Sequence, residues 1–251
     1  MIHYRPSIVN ETKIMARRIR FKDLVIWEDD DFVLINKPPF ISTLEDRNDP
    51  FNVLSLARGV YPSAQVGHRL DKETSGVLAI AKNAEAYRHL SLQFEDRKVK
   101  KVYHAVADGI HNFKDQVIDE PILKLSNGTV RIDKKGKESQ TVFNTLHAYR
   151  LHTLIQCEPI TGRMHQIRIH LAHHEAAISG DSLYGGKPFY LSAIKRNYSL
   201  GKWQEEQPLV KRLALHAFSL SFENIAGQVV EVEAGYPKDF RVMLQQLDKN
   251  P

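Results

Sequence analysis

The stretch Val77–Ala81 (VLAIA) is apolar at every position, and a Thr74-Ser75-Gly76 turn leads into it. A strand apolar on alternating and intervening positions alike buries both faces, so this run predicts an interior strand covered on either side. Just before the turn stand Arg69 and Asp71, two charges one residue apart. In an extended segment such residues project to the same side. Either they are ordinary surface, or they rim a site whose position the buried strand fixes.

The pattern along the chain is richer in strands than in helices. LVIWEDDDFVLINKP (24–38) reads as two short strands around an acidic turn, and NVLSLARGV as a short helix. Asn83 is placed to cap a helix in which Ala86, Leu90 and Phe94 recur at helical spacing. KKVYHAVADG (100–109) alternates and ends at Gly109, and Asn127-Gly128 signals a hairpin. SQTVFNTLHAYR and LHTLIQCEPI read as neighbouring strands. TGRMHQIRIHLAHHE predicts a helix capped by Thr161, with Met164, Ile167 and Leu171 on one side. After GDSLYGGKP comes a long excursion to about Val210, then strands in LALHAFSLSF and QVVEVEAGY, and a final helix with Pro237 in its first turn. Most neighbouring strands read as antiparallel. The fold class expected is α+β, with a mixed, largely antiparallel sheet rather than a doubly wound one.

Composition narrows the chemistry. No G-x-G-x-x-G or P-loop follows a strand, so a nucleotide cofactor gets no support. One cysteine, Cys157, excludes an internal disulfide and any multi-cysteine metal site, and fits a reducing compartment. No run of about 18 apolar residues spans a membrane, and the N-terminus lacks the apolar core of a secretory signal. The formal charge is +5, concentrated in three places: Arg5, Lys13, Arg17, Arg18, Arg20 and Lys22 near the start, DRKVKK (96–101), and RIDKKGK (131–137). One such cluster is ordinarily a solvated face; three together point to nucleic acid.

Asp71 before a Thr-Ser-Gly sequence has an everyday reading as a turn residue. A functional reading needs rigid support, which the buried strand supplies, and a cationic partner. Arg163, His165, Gln166, Arg168 and His170 crowd one short segment. On a helix His165 and Arg168 share a face, and an arginine among apolar residues needs a carboxylate. Asp71 is one candidate; a local acid such as Glu175 is the other. The histidines at 165, 170, 173 and 174 do not follow a zinc-protease spacing, and no metal is expected. Tyr103, in an alternating strand, reads as a core residue with its hydroxyl at the rim.

Taken in order, HRLDKETSGVLAIAK (68–82), KKVYHAVADG, TGRMHQIRIHLA (161–172), GDSLYGG (180–186) and LALHAFSLSF, with VLINKPPF upstream, resemble the RNA pseudouridine synthases of the RluA type. The resemblance covers roughly residues 24–245. It implies that Asp71 is the catalytic aspartate, that Tyr103 stacks on the target base, and that Arg168 pairs with the aspartate. It implies that Arg69 enters the RNA helix as the nucleotide leaves, with His68, Thr74, Arg163 and His165 grouped on the RNA side. It further implies a sheet split by a central cleft, flanked by helices and loops, and no cofactor. The substrate class is structured RNA, ribosomal or transfer. Residues 1–23 are expected to form a basic arm and 24–251 the catalytic domain, without the S4-type module that many relatives carry. After the Lys-Pro pair, PFISTLEDRND replaces the apolar-His-Pro stretch common in the family. A cytoplasmic monomer is the expected form. The competing reading is a non-catalytic RNA-binding protein that keeps the fold.

Overall fold

The computed structural model describes residues 19–45, 50–201 and 205–250. Most of the basic arm, residues 1–18, lies outside the described residues, as does 46–49 of the polar loop. From Phe21 to Leu24 the chain makes one 3-10 turn with Phe21 buried. Arg20 there is bonded through Nε and Nη2 to Asp23 (2.9 and 2.7 Å).

The chain divides into two compact units, Met1–Lys98 with Ser221–Ala234, and Val99–Leu220 with Gly235–Pro251. In the first, β1 (Val25–Glu28) and β2 (Phe32–Lys37) flank the acidic turn and pair antiparallel. The helix α1 (Val53–Arg58) starts at a reciprocal cap between Asn52 and Ser55. A short strand, β3 (Gln65–Val66), precedes β4 (Ser75–Ala81). β4 pairs antiparallel with β2, from Lys37 opposite Gly76 to Phe32 opposite Ala81, and β3 lies on its other edge. All seven residues of β4 are buried, as its apolar composition requires. In α2 (Ala84–Glu95) the Asn83 side chain accepts from the Ala86 N–H at 2.8 Å. Ala86 and Leu90 face inward as expected, but the third inward position is Gln93, while Phe94 is half-buried. Gln93 is tolerated there because its amide exchanges two hydrogen bonds with the Glu223 backbone (2.8 and 2.9 Å).

The second unit carries β5 (Lys100–Asp108), β6 (Gln116–Asp119), β7 (Ile122–Lys124), β8 (Val130–Ile132), β9 (Gln140–Ala148) and β10 (His152–Pro159). β10 runs antiparallel to both β5 and β9, and β6 extends the sheet beyond β9. β7 and β8 form a separate hairpin closed at Asn127-Gly128, where Gly128 takes a φ of 84°. The helix α3 spans Gln166–His173, and a short α4 spans Leu191–Ile194. β11 (Leu215–Glu223) begins in this unit and ends in the first, where β12 (Val229–Glu233) pairs with it. Finally α5 (Lys238–Lys249) follows Pro237, which sits at the cap rather than inside the first turn. Ala105, Ile155, Cys157, Leu171, Phe189 and Phe240 are among the core residues of this unit. The fold class is α+β on a mixed, largely antiparallel sheet. Among the described residues no helix is long and apolar enough to cross a membrane.

The expected cap of α3 is not where the helix starts. Thr161 lies five residues before Gln166, and the cap is His165 in a left-handed conformation, φ 52°. Thr161 instead donates its hydroxyl to Gln166 Oε1 at 2.7 Å. The threonine hydroxyl is taken by a side chain five residues on instead of by a helix N–H.

Arg212 is fully buried, and Nε and Nη2 hold Asp239 at the start of α5 at 2.7 and 3.1 Å. Its Nη1 donates to the carbonyls of Leu213 and Leu215, both at 3.2 Å. Replacing one partner of such a pair strands the other's polar groups. Arg212→Met is expected to lower stability by about 3 kcal/mol, read from urea denaturation.

Candidate active site

The site residues of the first unit lie on one short loop between β3 and β4. Leu70 is buried, Arg69 on one side of it is exposed, and Asp71 on the other is half-buried. The alternation comes from Thr43. Its buried hydroxyl donates to the Leu70 carbonyl at 3.0 Å and accepts the Leu70 N–H at 3.1 Å. Both backbone groups of Leu70 are thus satisfied by one side chain, which turns residues 69 and 71 outward.

The following peptide is fixed as firmly. The Lys72 carbonyl accepts from the Phe40 N–H at 2.8 Å and from Lys37 Nζ at 3.2 Å. Lys37 is fully buried, and its ammonium also donates to the carbonyls of Pro38 (3.0 Å) and Ile41 (2.9 Å). A buried ammonium is costly unless its donors are used, and here three carbonyls use them. The Thr74 N–H closes the turn on the Asp71 carbonyl at 3.0 Å. Thr74 itself is only 2% exposed, which places it in the framework beneath the loop. His68 accepts the Ala79 N–H on Nε2 at 3.0 Å and stacks on Phe94 with centroids 4.7 Å apart. That bond needs an unprotonated Nε2, so His68 anchors the loop's first residue as a neutral ring.

In the second unit Tyr103 sits on β5 opposite Cys157 of β10, half-buried against the core. The next residue, His104, points to the other face. It stacks on Phe218 at 4.1 Å, and its Nδ1 shares a 2.5 Å hydrogen bond with the Tyr236 hydroxyl. Burial pulls the His104 pKa down to about 4. Cys157 is fully buried, and burial raises its thiol pKa well above the ordinary range, so it is a core residue and not a nucleophile. Lys101 also departs from expectation. Counted by sequence in a phosphate-facing cluster, it is half-buried and donates to the Thr161 carbonyl at 3.4 Å. Burial lowers its pKa to about 8.

The segment 161–168 is folded upon Gln166, whose amide accepts from the Arg163 N–H (2.9 Å) and donates to the Gln140 carbonyl and Thr141 hydroxyl (both 2.9 Å). Arg163 Nε donates to the Glu138 carbonyl at 3.0 Å. His170 is fully buried, with Nδ1 bonded to the Thr141 hydroxyl and Nε2 to the Glu120 carbonyl (2.9 and 3.0 Å). Both its nitrogens therefore serve the fold.

Arg168 is 8% exposed, and two of its nitrogens hold one carboxylate side-on: Nε to Asp181 Oδ2 at 2.7 Å and Nη2 to Oδ1 at 2.8 Å. Its guanidinium also lies 5.0 Å from the centre of the Tyr184 ring. The Tyr184 hydroxyl shares a 2.8 Å hydrogen bond with His165 Nδ1. His165 is not on the helix with Arg168, as its spacing predicts, yet both meet at Tyr184. Asp181 is a partner that sequence reasoning missed. It stands thirteen residues away in GDSLYGG, a stretch legible only as a turn.

The family model for RNA pseudouridylate synthases matches residues 31–173. This chain belongs to that family. As a pseudouridine synthase it is an isomerase. It is 33% identical over 247 residues, 96% of its length, to the ribosomal large subunit pseudouridine synthase C of Vibrio vulnificus, of which the match covers 74%. Against the Haemophilus influenzae protein of the same name it is 35% identical over 250 residues, 96% of this chain and 73% of the relative. The Buchnera aphidicola counterpart is 37% identical over 211 residues, 81% of this chain and 64% of the relative. Two solved human structures share the fold. RNA Pseudouridylate Synthase Domain Containing 4 superposes with a TM-score of 0.69 at 23% identity, covering 96% of this chain and 98% of the other. Domain Containing 1 superposes at 0.64 and 24% identity, covering 90% and 95%.

In this pseudouridine synthase two lysines that the structure turns inward are open to test. Lys37→Met leaves three carbonyls without their shared donor, so the Phe40 amide, bonded to the same Lys72 carbonyl, is expected to exchange faster with solvent. For Lys101 the folded pKa lies below the unfolded one, so its charge opposes folding at neutral pH. Stability from this group rises as pH climbs from about 8 to about 10.5. Lys101→Met is therefore expected to be more stable than the parent at pH 7, with the gap closing at pH 10, measured by urea denaturation at both.

Proposed function

We propose that this protein converts specific uridines of structured RNA to pseudouridine, with ribosomal RNA as the favoured substrate and no cofactor. The C1′–N1 bond breaks, the uracil turns, and C5 joins C1′; the C5 proton leaves and N1 gains one, so substrate and product are isomers. No redox carrier or energy donor enters that balance. Asp71 supplies the carboxylate at the sugar, Tyr103 offers its ring to the detached base, and Arg168 pairs with Asp71 to favour its charged form. The observation that carries the reading is the Thr43–Leu70 clamp within the family-matched region. It gives a rigid backbone with an exposed arginine and a half-buried aspartate projecting outward on alternate positions.

The target base leaves its stack before reaction, at a cost of a few kcal/mol. Arg69 is the side chain to fill the vacated space. The exposed lysines 134, 135 and 137 beside the β7–β8 hairpin supply phosphate contacts, so affinity falls with salt. The ribosomal substrate is favoured by the names of the bacterial relatives; transfer RNA is the alternative outcome of mapping pseudouridines in cells with and without the gene. A cytoplasmic monomer completes the reading.

Asp71→Ala is expected to abolish tritium release from RNA carrying 5-³H-uridine while RNA binding persists. Arg168→Ala is expected to be severely impaired in the same assay. Substantial residual release in Asp71→Ala would defeat the role given to Asp71, whereas RNA binding with no release even from the parent would leave only the RNA-binding protein that keeps the fold.

A further inference from the structure

We infer that Asp181, with Tyr184 and His165 behind it, is a positioning residue that sets the direction of the Arg168 guanidinium for the reaction. The inference rests on the role proposed for Arg168. A guanidinium offers five N–H donors in a planar fork, and one edge of the fork is committed to Asp181 through Nε and Nη2. The third nitrogen, Nη1, is thereby aimed away from Asp181. Tyr184 lies against the guanidinium from a second side, and the His165 bond holds Tyr184. Three groups thus restrict a side chain that is otherwise rich in rotamers.

The charge balance sharpens the argument. Arg168 is buried and so is Asp181, at 8% and 3% exposure. Together they are neutral, so the pair acts on any third group mainly as an oriented dipole. Its effect then depends on direction as well as on distance, unlike that of a lone charge, and direction is what Asp181 provides. The turn that carries Asp181 is correspondingly stiff. Gly180 has a φ of 81°, and a Cβ added there would meet the Arg212 carbonyl oxygen at 2.2 Å. A Cβ at Gly186 would meet the Ile178 carbonyl oxygen at 1.8 Å. The Asp181 carbonyl accepts from the N–H groups of Tyr184 (3.1 Å) and Gly186 (2.9 Å). Asp108 ties both flanks, accepting from the Ser179 hydroxyl at 2.5 Å and the Lys187 N–H at 2.7 Å.

The test compares single-turnover rates and RNA affinity, by filter binding, in Asp181→Asn, Tyr184→Leu, Arg168→Ala and the doubles that combine each of the first two with Arg168→Ala. An asparagine cannot accept both guanidinium bonds, so Asp181→Asn is expected to lose about 10²-fold in rate. Its affinity for RNA stays close to that of the parent. In the Arg168→Ala background neither second substitution adds a further loss, because both act through the missing side chain. A purely structural role would instead multiply the losses and weaken binding in step. If Asp181→Asn fails to fold, shown by circular dichroism, Tyr184→Leu on its partly exposed turn decides, with an expected loss of about tenfold. Parent-like rates in the folded Asp181 or Tyr184 variant, or multiplicative losses in the doubles, overturn the inference and leave the role of Arg168 standing. A parent-like rate in Arg168→Ala overturns both.

Discussion

A single hydroxyl carries much of the site. Thr43 satisfies the donor and the acceptor of Leu70, and through that pair of bonds the loop keeps its register over β4. Without it, two buried backbone groups lose their partners, each at a cost of about 1–3 kcal/mol. The Lys37 ammonium does the same for the next stretch by gathering three carbonyls from the Pro38–Ile41 turn and Lys72. Both anchors come from the strand end and loop after β2, and the fully buried β4 supplies the floor. The reaction proposed for Asp71, with its carboxylate at a sugar carbon, would tolerate little play in that backbone. The first unit is built so that the polar loop inherits the rigidity of its apolar strand.

The second unit meets the same demand by a different route. The side chains proposed for function there arise from β5, the loop before α3, α3 itself and the 180–186 turn, and they are held by polar networks rather than by strand burial. Gln166 organises 161–166, the Asp181 carboxylate and Tyr184 ring hold Arg168, and His104 pins the back of the strand that carries Tyr103. Such networks are stable only when nearly every member is satisfied. His170 illustrates the point, with a threonine hydroxyl at one nitrogen and a backbone carbonyl at the other.

What the sequence made legible was local. The all-apolar β4, the Asn83 cap and the Asn127-Gly128 turn each declare themselves within a few residues, and each stands where the pattern puts it. The outward alternation of Arg69 and Asp71 around a buried Leu70 was also legible, because residues one apart in an extended segment share a side. The losses lay in which side chains meet. Thr161 carries a cap signature but spends its hydroxyl on Gln166. Lys101 belongs by sequence to a solvated basic run, yet it turns inward to a carbonyl sixty residues away. Asp181 gives no sign of its partner, since no periodicity links a turn aspartate to an arginine on an earlier helix.

The crowding around Gly180 and Gly186 bears on how this scaffold can be diversified. At both positions backbone carbonyls stand where any side chain would begin, whereas Ser182 and Leu183 between them face solvent. Random libraries across the stretch would therefore be populated mostly by dead clones, from the two outer positions alone. Variation restricted to the two middle residues would sample new surface beside the arginine while leaving its mounting untouched.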